Sequence, residues 1–121
     1  MHKHTVPETM PWSAYIRLFA NFIMSTRGYE TTDILELTRQ YELAKVPGST
    51  EKQVNSRART FITNFLSKQY LDFATFTTFL KVIKTKRIKI ELTLYAEDNT
   101  SETYVIETTQ EQDNGTPNNN P

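Results

Sequence analysis

Cysteine is absent from the 121 residues, and glycine occurs only at positions 28, 48 and 115. The first absence excludes disulfides, thiolate-ligated zinc or iron–sulfur sites and a thiol nucleophile. The second leaves no glycine-rich phosphate loop. Histidine is confined to His2 and His4, so the rest of the chain has no imidazole base or ligand. Long apolar runs are missing as well: the most apolar stretch, residues 15–24, is broken by Arg17 and Asn21 and is too short to cross a bilayer. Residues 1–10 carry His2, Lys3, His4 and Glu8 in place of an apolar leader, so no signal peptide is expected. A soluble, cytoplasmic chain follows as the expectation, with no membrane partner and no cofactor or metal.

What is present is charge, and its arrangement matters more than its sum. The 14 basic and 14 acidic side chains cancel. Yet all the basic residues lie within 1–96, whereas 97–121 holds six acids and no Lys or Arg. Residues 45–89 carry ten basic side chains against only Glu51 and Asp72. A basic block trailed by an acidic end is the pattern of a chain with a polyanionic partner.

Apolar spacing gives the elements. Trp12, Tyr15, Ile16, Phe19, Phe22 and Ile23 recur at helical steps after Pro11 and before Gly28, which predicts a buried helix over 11–26. Thr31 or Thr32 can cap a second helix, whose apolar face is Ile34, Leu37, Tyr41 and Ala44 and which Pro47-Gly48 stops. Thr50-Glu51-Lys52-Gln53 is a capping box that opens a third helix over 50–68, with Val54, Ala58, Phe61, Ile62, Phe65 and Leu66 inward. Asp72 can cap a fourth segment over 72–85, where Phe73, Phe76, Phe79, Leu80 and Ile83 fall on one side of a helix but Thr75, Thr77, Thr78 and the Phe residues also tolerate strand. From Arg87 the period becomes two, predicting strands at 87–94 and 103–108 joined by a loop of about six residues. Residues 110–121 contain no apolar side chain and are expected to be disordered. The fold class is therefore mainly α: a bundle of three to four helices with a C-terminal β-hairpin and an acidic tail. The organisation is a flexible N-terminus at 1–10, one domain at 11–109 and a tail at 110–121.

Residues 40–59 run Gln-Tyr-Glu-Leu-Ala-Lys-Val-Pro-Gly-Ser-Thr-Glu-Lys-Gln-Val-Asn-Ser-Arg-Ala-Arg. A small residue (Ala44), a glycine four positions on (Gly48) and an apolar residue six further (Val54) resemble the helix-turn-helix of DNA-binding domains. A winged-helix version would use the 87–108 hairpin as its wing. Three positions depart from that pattern: Pro47 and Ser49 stand where aliphatics are usual, and Arg57 stands where the motif buries its residue. The resemblance implies that the third helix enters the major groove of double-stranded DNA, as part of a transcriptional or replication regulator.

The side chains of that helix suit the task independently. Lys52, Gln53, Asn55, Ser56, Arg57, Arg59 and Thr60 are polar positions in its first turns. Arg reads guanine, Asn and Gln read adenine, and hydroxyls take phosphates or base edges. Lys81, Lys84, Lys86, Arg87 and Lys89 form a second basic run suited to phosphate. A regulator of this size works best as a dimer on a two-fold site, and the aromatic first helix, 11–26, is the candidate dimer surface. Nucleoid association would follow.

Each of these features also has a plainer explanation. A polar helix face is commonly just solvated, and lysines at a sheet edge deter aggregation. No serine has an activating partner, and the carboxylate pairs Asp33 with Glu36 and Glu97 with Asp98 belong to a helix start and a loop. Catalysis is therefore not expected. The aromatics at 12, 15, 19, 22, 61, 65, 73, 76 and 79 fall on helical stripes and are expected in the core. The alternative function is a small phage-type effector or inhibitor that occupies a host protein through its acidic C-terminal end.

Overall fold

A computed structural model describes residues 2–6 and 10–108. The chain is mainly helical: α1 (Trp12–Arg27), α2 (Thr31–Lys45), α3 (Glu51–Ser67) and α4 (Phe73–Val82) are followed by β1 (Lys89–Tyr95) and β2 (Ser101–Glu107). The chain divides into two compact units, one holding the helices up to Lys84 and one holding the hairpin from Thr85. Among the described residues, every buried apolar residue lies at or before Ile83. The expected tail, 110–121, falls outside the described residues.

Local signals set the helix ends. Gly28 takes φ 70°, where its N–H reaches the Ser25 carbonyl and the Tyr29 N–H that of Met24, the paired bonds that close a helix on a left-handed residue. α2 starts one residue earlier than expected: Glu30 is the cap residue, and its N–H donates to the Asp33 carboxylate at 2.8 Å. Thr50 and Gln53 form the reciprocal box, with Thr50 Oγ1 accepting at 3.1 Å and Gln53 Oε1 at 2.9 Å. Asp72 accepts the Thr75 N–H at 2.7 Å, and this backbone bond holds its carboxyl below the usual range. The segment that follows is helix, and Thr77 and Thr78 are accommodated in it by turning their hydroxyls onto the Phe73 and Ala74 carbonyls one turn back.

In the core Phe65 of α3 stacks on Phe79 of α4 at 4.7 Å between ring centroids, and Ile34, Ile62, Leu71 and Val82 are buried as well. α1 enters this core on an unexpected face. Its buried residues are Ala14, Arg17 and Ala20, while Trp12 is 75% and Phe19 59% exposed. The aromatic stripe at 12, 15, 19 and 22 is therefore not core. The small residues let α1 lie close to the bundle, and Arg17 has work there that no aromatic could do. It donates to the Phe65 carbonyl and, at 3.2 Å, to that of Lys68, and its guanidinium lies 4.6 Å over the Phe65 ring. A cation at a helix C-terminus complements the exposed carbonyls. Desolvation lowers its pKa, and Nε is left without a partner.

Residues 2–6 lie on the outer side of α1, where the rings of His2 and His4 both contact Phe22. Phe73 is exposed too, whereas Tyr15, Phe22, Phe61 and Phe76 are half-buried.

In the hairpin unit β1 pairs antiparallel with β2, Lys89 opposite Glu107 and Tyr95 opposite Ser101. The turn is tighter than the expected six residues. Asn99 donates to the Ala96 carbonyl at 2.9 Å and Ala96 to that of Thr100 at 2.8 Å, leaving three loop residues with Asn99 at φ 71°. Asp98 braces the loop by accepting from the hydroxyl and N–H of Thr100, which depresses its own pKa.

Candidate nucleic-acid interface

α2 and α3 are joined by Val46-Pro47-Gly48-Ser49. Proline presets the first corner residue, and Gly48, at φ 85°, supplies the second, closed by the Ser49 N–H on the Val46 carbonyl at 3.3 Å. Val54 is buried, as the helix-turn-helix resemblance implies, but Ala44 is exposed. The inward face of α2 is Ile34, Thr38 and Glu42, not the Ile34–Leu37–Tyr41–Ala44 stripe. The reason is Glu42: it turns inward because a partner waits on α3.

That partner is Arg57. Its Nε donates to Glu42 Oε1 at 2.9 Å and its terminal nitrogen to Ser49 Oγ at 2.8 Å. On the other flank of α3, Arg39 of α2 donates through Nε to Asn55 Oδ1 and through Nη1 to Glu36 at 2.8 Å, with Glu51 at 3.9 Å. Hydrogen bonds from Arg39 and then Gln40 hold the Glu36 carboxyl below its ordinary pKa. Two arginine clamps thus lock α3 to α2, one on each side of the buried seam. Three expected base readers are committed elsewhere: Arg57 and Asn55 to the clamps, Gln53 to the cap. Position along the helix could not reveal this, because a polar side chain beside a seam and one facing water read alike. The departure of Arg57 from the buried apolar norm was the available signal.

What remains outward on α3 is Lys52, Ser56, Arg59 and Thr60, one face at steps of four, three and one, continued by Thr63. All are exposed; the Thr60 hydroxyl donates to the Ser56 carbonyl at 3.0 Å and keeps its acceptor capacity. Glu51, the one acid of α3, is 83% exposed on the flank of the helix toward Arg39, 3.9 Å away. The face therefore carries two cations and hydroxyls with no acid on it.

The second basic run is split. Lys81 and Lys84 belong to the helical unit and are exposed, Lys84 with φ 67° just past α4. Lys86, Arg87 and Lys89 belong to the hairpin unit. Arg87 stands 3.8 Å from Glu107, and Lys89 lies 3.0 Å from Glu91, which raises the lysine's pKa.

Sequence reasoning missed Arg17 and Arg39. Arg17 left a trace, a lone cation inside an aromatic helix with no acid within one turn. Arg39 left none.

Among the described residues, no cluster of three His, Asp or Glu is placed to hold a metal ion, and no helix is long and apolar enough to cross a membrane. The described residues form a four-helix unit, in which a tight turn joins α2 to α3, followed by a hairpin. Comparison with family models, characterised proteins and solved structures finds no match for the chain.

Proposed function

We propose that the protein binds double-stranded DNA as a small transcriptional or replication regulator, presenting α3 to the major groove. The observation that carries this reading is the outward face of Lys52, Ser56, Arg59 and Thr60, free of acid and held rigidly by the two clamps to α2. Rigid presentation matters because a recognition helix gains specificity only when its side chains arrive in register with the bases. Arg59 is the base reader in this reading, and Lys52, Lys81 and Lys84 are phosphate contacts. A basic helical unit supports it: residues 1–84 hold 11 basic and seven acidic side chains. The expected site is the nucleoid of the cytoplasm. Binding selection from a random duplex library, followed by anisotropy titration at two salt concentrations, tests the reading. Failure to retain any duplex at low salt would reject it.

One observation favours a second reading, a protein-binding module. The stripe of Trp12, Tyr15, Phe19 and Phe22 faces away from the core, and aromatics presented this way are typical anchors of protein interfaces. Capture of a protein partner that is lost on Trp12→Ala and Phe19→Ala, with no duplex binding, would replace the first reading by the second.

A further inference from the structure

The hairpin unit is built to be completed. A two-stranded hairpin is marginal in water, whereas three or more strands with an apolar face are stable. Ile90, Leu92, Leu94, Tyr104 and Ile106 share one face, and each is 45–69% exposed. Both sheet edges are unpaired among the described residues.

The ladder shows which backbone groups are available. Thr108 donates to the Ile88 carbonyl at one end, and Ala96 to the Thr100 carbonyl at the other. Hydrogen-bonded pairs recur at every second residue, so Ile90, Leu92 and Leu94 bond inward to β2. Lys89, Glu91, Thr93 and Tyr95 therefore direct their N–H and C=O groups outward.

We propose that β1 pairs antiparallel with β1 of a second copy of this chain about a two-fold axis at Leu92, forming a four-stranded sheet in the order β2-β1-β1-β2. In this register only outward-bonding residues meet: Glu91 faces Thr93 of the second copy, and Lys89 faces its Tyr95. The apolar side chains fall on one side, Ile90 beside Leu94 of the second copy and Leu92 beside its own mate. Charge selects the arrangement. The base of the hairpin is basic, with Lys86 and Arg87, and its tip is acidic, with Glu97 and Asp98. The antiparallel arrangement brings the basic base of each hairpin toward the acidic tip of the other, twice over by symmetry. The alternative edge offers no cation: a two-fold at Tyr104 sets Glu107 opposite Ser101 and Glu102 opposite Ile106 of the second copy. Lysine and glutamate along β1 thus make it a selective edge and not an indiscriminately sticky one. The inference assigns self-association to the hairpin in place of α1, and it stands apart from the reading of α3.

The test uses the full chain. Sedimentation equilibrium is expected to give twice the 14.1 kDa chain mass. Lys86→Glu with Arg87→Glu, and separately Glu97→Lys with Asp98→Lys, should each weaken the dimer about tenfold or more. All four substitutions in one chain should restore it, as should mixing the two variants. Amide hydrogen exchange by NMR on the unaltered protein decides the edge directly. The Glu91 and Thr93 amides should be protected at high concentration and lose protection on dilution, while Leu92 stays protected throughout. A monomer at millimolar concentration, a dimer indifferent to both charge sets, or Glu91 and Thr93 amides exchanging freely within the dimer would each overturn the proposal.

Discussion

Arg57 donates through Nε to Oε1 of Glu42 at 2.9 Å, and this bond decides what α3 offers to the outside. The Glu42 side chain is 10% exposed and that of Arg57 37%, so the pair sits at the margin of the core, where water screens it only in part. Arg57→Ala strands a buried carboxylate and should cost about 1–3 kcal/mol in urea unfolding. Glu42→Ala should couple with it in a double-mutant cycle. In DNA binding, Arg57→Ala should act only through this loss of folding and leave base preference unchanged.

Arg59 and Lys52 should behave differently. Arg59→Ala is expected to lose about 1–3 kcal/mol of duplex affinity and to relax the preference at one base pair. Lys52→Ala should weaken binding evenly across sequences and reduce the salt slope by about one. Anisotropy titrations over a salt series separate the two.

Arg17 provides a stability test in a place where sequence patterning expects none. Arg17→Ala should cost about 2–3 kcal/mol, because the carbonyls at the end of α3 lose charged donors while remaining part-buried. Arg17→Lys should recover less than half, since an ammonium cannot both stack on Phe65 and donate in two directions. Thermal unfolding of the three proteins checks the order.

Lys84 and Asp72 bracket α4 with opposite lessons. Lys84 holds a left-handed conformation that costs a side-chain-bearing residue, so Lys84→Gly should raise stability by about 1 kcal/mol. Asp72 has a folded pKa below its ordinary value. Its contribution is therefore complete above the unfolded pKa and is lost as pH falls through the folded one. Asp72→Asn keeps a cap acceptor but cannot titrate, so the acid limb of its stability profile should flatten. A profile identical to that of the unaltered protein would show that the cap bond does not govern acid unfolding.

Helix ends were legible in the sequence because capping is local: Gly28, the Thr50–Gln53 box and Asp72 each act within four residues. The hairpin was legible for the same reason, from a period of two and a polar turn. The facing of α1 was not. A periodic stripe shows that a helix has two sides, and the larger, more aromatic side is normally buried. Here Ala14, Ala20 and Arg17 win the inside, because close approach and the open carbonyls of α3 depend on residues distant in the chain. The site failed in the same manner. Asn55 and Arg57 read as free recognition groups until α2 supplies Arg39 and Glu42, and no window along one helix contains that information.

Arg17 and Phe65 are 48 residues apart in the chain, yet one guanidinium fastens the first helix to the last turn of the third. The outer side of α1, with Trp12 and Phe19, is a handle, and the carbonyl end of α3 is tied to its inner side. Removing the Arg17 side chain would therefore part α1 from the end of α3 without touching Lys52 or Arg59.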